Sequence, residues 1–227
     1  MTPTTTWHER IVGFDLETTG TDPDTARLVS AAVVDFDDGE RVDGVQWRID
    51  PGVTISEEAA AVHGVHDHQR KGRQDHDTAV REIVDELDDA WEAGYTVVVF
   101  NAPFDLTLLA KRARDAGSDF EVKGRVMDPL VVDRYLDKYR KGRRTLSAQA
   151  EHYGVELTAA HDALADAEAT VGIALAQVER WEQELADDTL MERQAAWAEE
   201  NMQGLRAWLR KQGRPTNDLR PGWPVRR

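Results

Sequence analysis

Three separate segments of the chain carry carboxylates in settings where they could hold divalent cations. Asp15 and Glu17 lie two residues apart at the end of an apolar segment that is typical of a buried strand. Because side chains alternate along a strand, both carboxylates face the same side, at the carboxyl end where open α/β sheets bind ligands. Two carboxylates so close repel each other unless a cation lies between them. Alone, the pair is more typical of a solvated strand end.

Two further acidic segments are equally ambiguous when taken singly. Asp105 follows a second apolar strand and lies in the first turn of a predicted helix, where an acidic side chain also complements the helix dipole. Asp166 lies in an Ala-rich predicted helix, five residues after His161, and an ordinary surface position explains it as well. The case for a site therefore depends on the three segments together.

Together, the segments resemble the DEDDh subgroup of the DnaQ-like 3′–5′ exonucleases, a family that includes the proofreading epsilon subunit of bacterial DNA polymerase III. The family motifs D-x-E-T-T-G, N-x-x-F-D and H-x-A-x-x-D are present at residues 15–20, 101–105 and 161–166. Their order and their strand or helix settings match the family. The resemblance covers residues 10–180.

The resemblance implies a chemistry and the residues that perform it. Phosphodiester hydrolysis develops charge on the attacking and leaving oxygens, which two Mg²⁺ or Mn²⁺ ions ~3.5–4 Å apart stabilise. Such hard cations prefer oxygen ligands. By resemblance, the metal ligands are Asp15, Glu17, Asp105 and Asp166, and His161 is the base that deprotonates the attacking water. Histidine in general titrates near pH ~6.5, which suits that role.

Binding of the 3′-terminal nucleotide is also implied by the resemblance, for Thr18, Thr19, His63, Asn101 and Phe104. Phe104 either wedges against a base or packs in the core. The chain departs from the family at Phe100, where many members have His. One polar contact is therefore missing, which leaves nucleotide preference open. The segment 62–65 resembles the family's loop between the third strand and the next helix.

The elements that position these residues follow from apolar spacing and turn residues. Three strands in succession, at 10–17, 28–36 and 42–49, suggest an antiparallel meander. Two short strands, at 96–100 and 125–127, then alternate with segments of helical spacing. Helices are predicted at 80–91, 104–116, 129–139, 145–153 and 162–185. We therefore expect an α/β fold, which the resemblance makes a ribonuclease-H-like mixed sheet of about five strands flanked by helices.

The chain ends are expected to differ from this domain. Residues 1–9 are predicted to be a frayed N-terminus, 10–186 the exonuclease domain, and 187–227 a C-terminal helix followed by a basic, Pro-containing arm. The helix, over 187–212, packs on the domain or on a protein partner. Trp197 and Trp208 beside its apolar stripe pack on the domain, stack on bases or bind a partner.

Composition excludes several classes of protein. With 28 basic and 43 acidic residues, the net charge of −15 argues against a protein that coats nucleic acid by electrostatics alone. The absence of Cys excludes a disulfide scaffold and a thiolate zinc site. The apolar runs are far shorter than the ~20 residues of a membrane span, and the first ten residues lack the features of a secretory signal. We expect a cytoplasmic protein without membrane attachment.

Three functions remain open at this point. The first is an exonuclease that releases nucleoside 5′-monophosphates from the 3′ end of DNA in proofreading or repair, with a single-stranded 3′ end as the expected substrate. The second is an exoribonuclease that trims 3′ ends, and the pair Thr18-Thr19 weakly favours DNA over it. The third is a polymerase- or repair-associated subunit whose residues 187–227 bind a partner.

Two other sequence clusters have ordinary explanations beside functional ones. Four histidines invite a zinc-site interpretation, although a polar loop explains them: His63, His66, His68 and His76. A basic run within residues 138–144 either guides phosphates towards the site or is a solvated helix end that the helix dipole favours.

Overall fold

The computed structural model describes residues 6–186, 189–217 and 219–226. Within these ranges, the strands are Arg10–Thr18 (β1), Leu28–Asp37 (β2), Glu40–Asp50 (β3), Gln74–Asp75 (β4), Thr96–Val99 (β5) and Val126–Met127 (β6). The α-helices are Glu57–His63 (α1), His76–Glu92 (α2), Ala102–Asp115 (α3), Pro129–Leu136 (α4), Leu146–Tyr153 (α5), Ala163–Arg180 (α6), Glu182–Leu185 (α7) and Leu190–Lys211 (α8). None of these helices is long and apolar enough to cross a membrane.

The strands form one mixed sheet in the order β4-β3-β2-β1-β5-β6. β1, β2 and β3 pair antiparallel, as the expected meander requires, and β5 runs parallel to β1. The α/β architecture expected from the sequence is confirmed, with six strands in the described residues rather than about five. The additional strand is β4, which pairs parallel with β3 over two residues. A strand of two residues is too short to show any alternation of apolar side chains.

Two hydrophobic cores hold helices on both faces of the sheet. On one face, Phe14 and Leu16 of β1 pack in a core with side chains of α2 and α3. On the other face, Ile11 of β1 packs with side chains of α4, α6 and α8. Because successive side chains of β1 point to opposite faces of the sheet, the face of Ile11 also carries Gly13, Asp15 and Glu17. The acidic end of β1 therefore faces α6.

Gly13 allows α6 to approach β1 closely. A Cβ atom at this position would lie 2.7 Å from the carbonyl oxygen of Ala167 and 2.8 Å from a methyl carbon of Val171, both in α6. Neither distance is tolerated by real side chains, and the first neighbour is backbone that cannot rotate away. The missing side chain at Gly13 thus sets the spacing between β1 and α6, and Asp166 lies one residue before the contact.

We predict that Gly13→Ala destabilises the protein by ~1–3 kcal/mol, the usual cost of overpacking a core. For a domain of this size, each ~1 kcal/mol lowers the Tm by ~2–4 °C, which a thermal melt followed by circular dichroism measures. The matched control is Gly204→Ala in α8, where an added Cβ meets no atom within 4 Å and the helix should gain stability. A Gly13→Ala protein as stable as its parent would contradict the packing argument.

Several predicted elements differ from those observed. The segment 62–65 was expected to be a loop, but its first two residues close the short helix α1, which Ser56 caps by accepting a hydrogen bond from the Ala59 N–H. α4 ends at Leu136 rather than at Tyr139. The stripe predicted as one helix over 162–185 is broken at Trp181, which adopts φ −134° and ψ 45°. Apolar spacing continues through that break and therefore does not reveal it.

Both chain ends pack on the domain where they are described. Trp7, in the segment expected to fray, is buried, and its indole N–H donates to the Leu185 carbonyl at 2.6 Å. Trp197 of α8 is buried and stacks on Tyr135 of α4, with ring centroids 4.8 Å apart. Trp208 is 51% exposed. Of the two tryptophans expected to pack, stack on bases or bind a partner, only Trp197 is a core residue. Residues 187 and 188 of the predicted helix lie outside the described ranges.

α8 also completes the edge of the sheet. The buried side chain of Gln194 donates to the Val126 carbonyl at 2.9 Å and accepts from the Asp128 N–H at 2.7 Å. These are the bonds that a further strand would make with β6, so the edge strand is paired rather than open. The C-terminal helix is therefore part of the domain's hydrogen-bond network.

Candidate active site

The four carboxylates predicted to bind metal lie around the carboxyl end of β1. Asp15 and Glu17 extend from that strand, Asp105 lies in the first turn of α3, and Asp166 lies in the first turn of α6. Glu17, Asp105 and Asp166 are buried, and Asp15 is partly buried. The negative charges of the other three all act on Asp15. The structure therefore brings together residues that are up to 151 positions apart in the chain.

Burial raises the pKa of all four carboxyl groups. It raises the pKa of Asp15 well above its usual value, and repulsion from Asp105, Glu17 and Asp166 adds to the rise. Burial also raises the pKa of Glu17 to about 8 and that of Asp105 to about 8. The pKa of Asp166 rises only to about 6, because the backbone N–H of His161 opposes the effect of burial. That N–H donates to both Asp166 oxygens at 3.2 Å.

The donor set fits divalent cations. Within the described ranges, the buried Oδ2 of Asp15 has no hydrogen-bond partner, an arrangement that is costly for an ionised oxygen unless a cation binds it. Ligand atoms of Glu17, His161 and Asp166 lie within 4.8 Å of one another. A cluster dominated by carboxylate oxygens favours hard cations such as Mg²⁺ or Mn²⁺.

His161 is held at the edge of this cluster by its backbone. It adopts the left-handed conformation with φ 68°, which is uncommon for a residue with a side chain, and it is exposed. The next residue, Asp162, caps α6 by accepting hydrogen bonds from the N–H groups of Leu164 and Ala165. His161 thus lies next to the α6 cap and beside the carboxylate cluster. Residues in such uncommon backbone conformations often occur at functional sites.

A fifth buried acid, Asp128, fixes the backbone of the second motif. Its carboxylate accepts hydrogen bonds from the N–H groups of Asn101 and Ala102, at 3.1 and 3.0 Å, and caps α4 through the N–H of Leu130. It also accepts from the indole N–H of Trp223 at 3.3 Å. Burial raises its pKa to about 6. In the sequence, Asp128 directly precedes Pro129 and so fits a helix cap. No local pattern signals its contacts with Asn101 and Ala102, which lie 27 and 26 positions earlier.

Two of the residues predicted to bind nucleotide use their hydroxyl groups to shape the turn after β1. Thr18 donates to the Gly20 carbonyl at 2.8 Å, and Thr19 accepts from the Arg27 N–H at 3.0 Å. Their backbone therefore borders the carboxylate cluster in a fixed conformation.

The other three predicted nucleotide ligands are partly exposed around the cluster. His63 lies near His161, its Nδ1 accepts a hydrogen bond from the Val65 N–H at 3.1 Å, and the backbone of Thr18 lies within hydrogen-bonding reach of its ring. Burial lowers the pKa of His63. Asn101 adopts the left-handed conformation with φ 63°. Phe104 is partly buried but belongs to none of the hydrophobic cores found in the described residues. All three leave polar or aromatic surface available to a ligand.

The other histidines of the sequence cluster do not assemble a zinc site in the described part of the chain. His66 and His68 are exposed and stack on each other. His76 is buried and uses both ring nitrogens, one with the Leu28 N–H at 3.3 Å and the other with Asp77 at 2.9 Å. These contacts explain the histidines as structural and surface residues.

The basic run is partly structural. The guanidinium groups of Arg140 and Arg144 both contact the buried carboxylate of Asp133, at 2.9 and 2.5 Å. Tyr153 donates to the same carboxylate at 2.9 Å. These two arginines therefore neutralise a buried acid and are not free to guide phosphates.

We predict that the metal-free protein loses stability as the pH rises from 7 to 9. Asp15, Glu17 and Asp105 have folded-state pKa values above the ~3.9–4.3 of an unfolded chain. Between those values the folded state binds more protons, so the free energy of unfolding falls with pH. Thermal melts in EDTA at several pH values measure the decline, and excess Mg²⁺ should reduce it.

The variant Asp15→Asn provides the internal comparison, because it removes one of the titrating groups. Its stability in EDTA should fall less steeply over the same pH range than that of the parent. Equal slopes for the two proteins, or a parent that grows more stable towards pH 9, would contradict the electrostatic interpretation of the cluster.

Comparison with protein families gives a match to RNase_T, described as an exonuclease, over residues 12–174. Among curated proteins, the chain is similar to PolC-type DNA polymerase III of Clostridium perfringens, with 28% identity over 73% of this chain. It is also similar to that of Halalkalibacterium halodurans, with 30% identity over 70%. The matched region is 11% of each relative, so the chain spans about a tenth of their length.

Solved structures show the same fold. Escherichia coli exonuclease I in complex with a dT13 oligonucleotide superposes with a TM-score of 0.67 and 17% identity, over 83% of this chain and 45% of that one. Exonuclease X in complex with 5′ overhanging duplex DNA gives 0.57 and 18%, over 78% of this chain and 98% of that one. At these identities the likeness establishes the fold alone, and it confirms the ribonuclease-H-like arrangement expected from the motifs.

Proposed function

The chain belongs to the RNase_T exonuclease family, and on that premise we propose that it is a two-metal-ion 3′–5′ exonuclease of the DEDDh type. Its substrate is DNA with a single-stranded 3′ end, and its products are nucleoside 5′-monophosphates. The observation that carries the proposal is the convergence of Asp15, Glu17, Asp105 and Asp166 around a buried oxygen that no hydrogen bond satisfies.

The proposal assigns each side chain a task. The four carboxylates hold two cations, Mg²⁺ or Mn²⁺, which when bound stabilise the charge that develops on the attacking and leaving oxygens. His161 accepts the proton of the attacking water, from an exposed position beside Glu17 and Asp166. Asp166 orients it through the two hydrogen bonds from its backbone N–H.

Substrate binding is assigned to residues around the cluster. Thr18, Thr19, His63, Asn101 and Phe104 bind the 3′-terminal nucleotide. We assign the partly exposed ring of Phe104 to stacking on a base, an interaction worth ~1–3 kcal/mol in proteins that bind single strands. Among the structural neighbours, complexes of E. coli exonuclease I with ssDNA and with a dT13 oligonucleotide support this substrate class.

The proposal extends to the cellular role of the protein and to the limits of its catalytic unit. The PolC-type relatives are DNA polymerases, which supports a role in proofreading or repair in the cytoplasm, with a polymerase as one candidate partner. We place the catalytic unit in residues 10–186 and assign residues 187–227 to an extension. Digestion of DNA and RNA oligonucleotides of one sequence separates the deoxyribonuclease from the alternative exoribonuclease.

We predict that Asp15→Asn abolishes degradation of a 5′-labelled single-stranded oligonucleotide, because the neutral amide no longer holds the cations. Gel analysis of the parent with Mg²⁺ or Mn²⁺ should show a ladder that shortens from the 3′ end, and EDTA should prevent it. Asp162→Asn removes the same charge next to the cluster but keeps a helix-capping side chain, and it should retain activity. Parent-like turnover by folded Asp15→Asn protein would refute the metal assignment.

We predict that His161→Gln lowers kcat by ~10²–10⁴-fold, the usual contribution of a general base. Because His161 also lies within ligand distance of Glu17 and Asp166, its role as a base must be separated from a role as a metal ligand. Calorimetric titration with Mn²⁺ does so. The base assignment requires an affinity close to that of the parent, whereas a large loss of affinity would make His161 a metal ligand instead.

A further inference from the structure

The C-terminal residues 219–226, here called the C-terminal segment, return across the domain to the candidate active site. The backbone N–H of Arg226 donates to the hydroxyl of Thr107 in α3 at 2.8 Å. The indole of Trp223 donates to Asp128, and the guanidinium of Arg220 pairs with both carboxylate oxygens of Asp24. Three separate contacts therefore fix this segment beside the second motif, although it lies outside the residues matched by the family.

A cavity of about 360 Å³ lies between the C-terminal segment, α4 and α8, and is here called the C-terminal cavity. Asn101, one of the proposed nucleotide ligands, lines one side of it. Its walls combine apolar side chains, such as Leu130 and Met202, with four ionisable side chains: Arg134, Arg226, Glu199 and the buried Asp128. The volume falls within the ~300–1,000 Å³ typical of pockets for small organic groups.

Two guanidinium groups line this cavity without a hydrogen-bonded partner in the described ranges. Arg134 is exposed and Arg226 is partly buried. The carboxylates whose charges act on them are those of Asp128 and Asp133 for Arg134 and that of Asp105 for Arg226. Arg226 lies close enough to Asp105 to counteract in part the effect of burial on the pKa of that carboxyl. In a chain of net charge −15, two guanidinium groups that line the same cavity, neither with a hydrogen-bonded partner in the described ranges, point to an anionic ligand.

We propose that the C-terminal cavity binds the phosphodiester backbone of the substrate strand upstream of the scissile bond, through Arg134 and Arg226. This inference rests on the proposed function, since it assumes a strand whose 3′ end lies at the carboxylate cluster. Asn101 lines the cavity and precedes the helix that carries Asp105 of the cluster, and the charge of Arg226 acts on Asp105. The cavity therefore adjoins the cluster, and a strand that leaves the cluster on this side enters it. The C-terminal segment, which lies outside the residues matched by the family model, thereby forms part of the substrate site of this chain.

The test is binding of a labelled single-stranded DNA dodecamer to the full-length chain in EDTA, followed by fluorescence anisotropy at several salt concentrations. The double variant Arg134→Gln/Arg226→Gln should raise Kd by about tenfold. It should reduce the slope of log Kd against log salt concentration by ~1.4, because each lost phosphate contact on a single strand accounts for ~0.7. The matched control, Arg210→Gln/Arg214→Gln, removes the same charge from exposed positions outside the cavity and should keep the slope of the parent.

A third variant is expected to bind the oligonucleotide more tightly than the parent, an effect that misfolding cannot produce. Glu199→Gln removes the negative charge that lines the cavity and should lower Kd. Equal slopes for the cavity and control variants, or tighter binding by the double variant, would overturn the inference, and the latter would show that the segment obstructs the strand. Because the measurement needs no catalysis, a protein that binds as expected but cleaves no oligonucleotide would refute the proposed function alone.

Discussion

The repulsion among four buried carboxylates is the constraint on which the arrangement of this domain depends. Asp15 and Glu17 are neighbours because a strand has a period of two, but Asp166 reaches them only because α6 lies against β1 at Gly13. A larger residue there would separate the helix from the strand and relax the repulsion. The sequence instead retains a contact that is unfavourable without cations, which agrees with the proposal that this cluster binds metal.

The hydrophobic cores and the backbone N–H donors together stabilise the fold against the repulsion among these carboxylates. Asp166 receives two hydrogen bonds from one N–H, and Asp128 receives several from the two turns that it joins. Asp15 has an oxygen without such a donor. Asp128, which lies outside the proposed ligand set, is thus satisfied by the protein itself, whereas Asp15 is not. That difference separates a structural carboxylate from one that is available to a ligand.

Much of the fold and of the candidate site could be predicted from the sequence, since the three motifs and the alternation of side chains along β1 are local patterns. The family match confirmed the resemblance that those motifs carry, and most strands were predicted to within two residues. The strand β4 could not be predicted because two residues are too few to show an alternation, and the break at Trp181 could not because the apolar spacing continues through it. The contacts of Asp128 with Asn101 and of Gln194 with β6 join distant segments through single side chains, which no periodic pattern encodes.

The C-terminal extension shows why the limits of a family match are not the limits of a structural unit. The match ends at residue 174, yet Gln194 pairs the edge strand β6 and Trp223 completes the hydrogen bonds of Asp128. Asp128 in turn holds the backbone of Asn101. A change in the extension can therefore reach the second motif through one buried carboxylate. Whatever this segment binds, its position is coupled to the geometry of the carboxylate cluster, because the two share Asp128 as a fixed point.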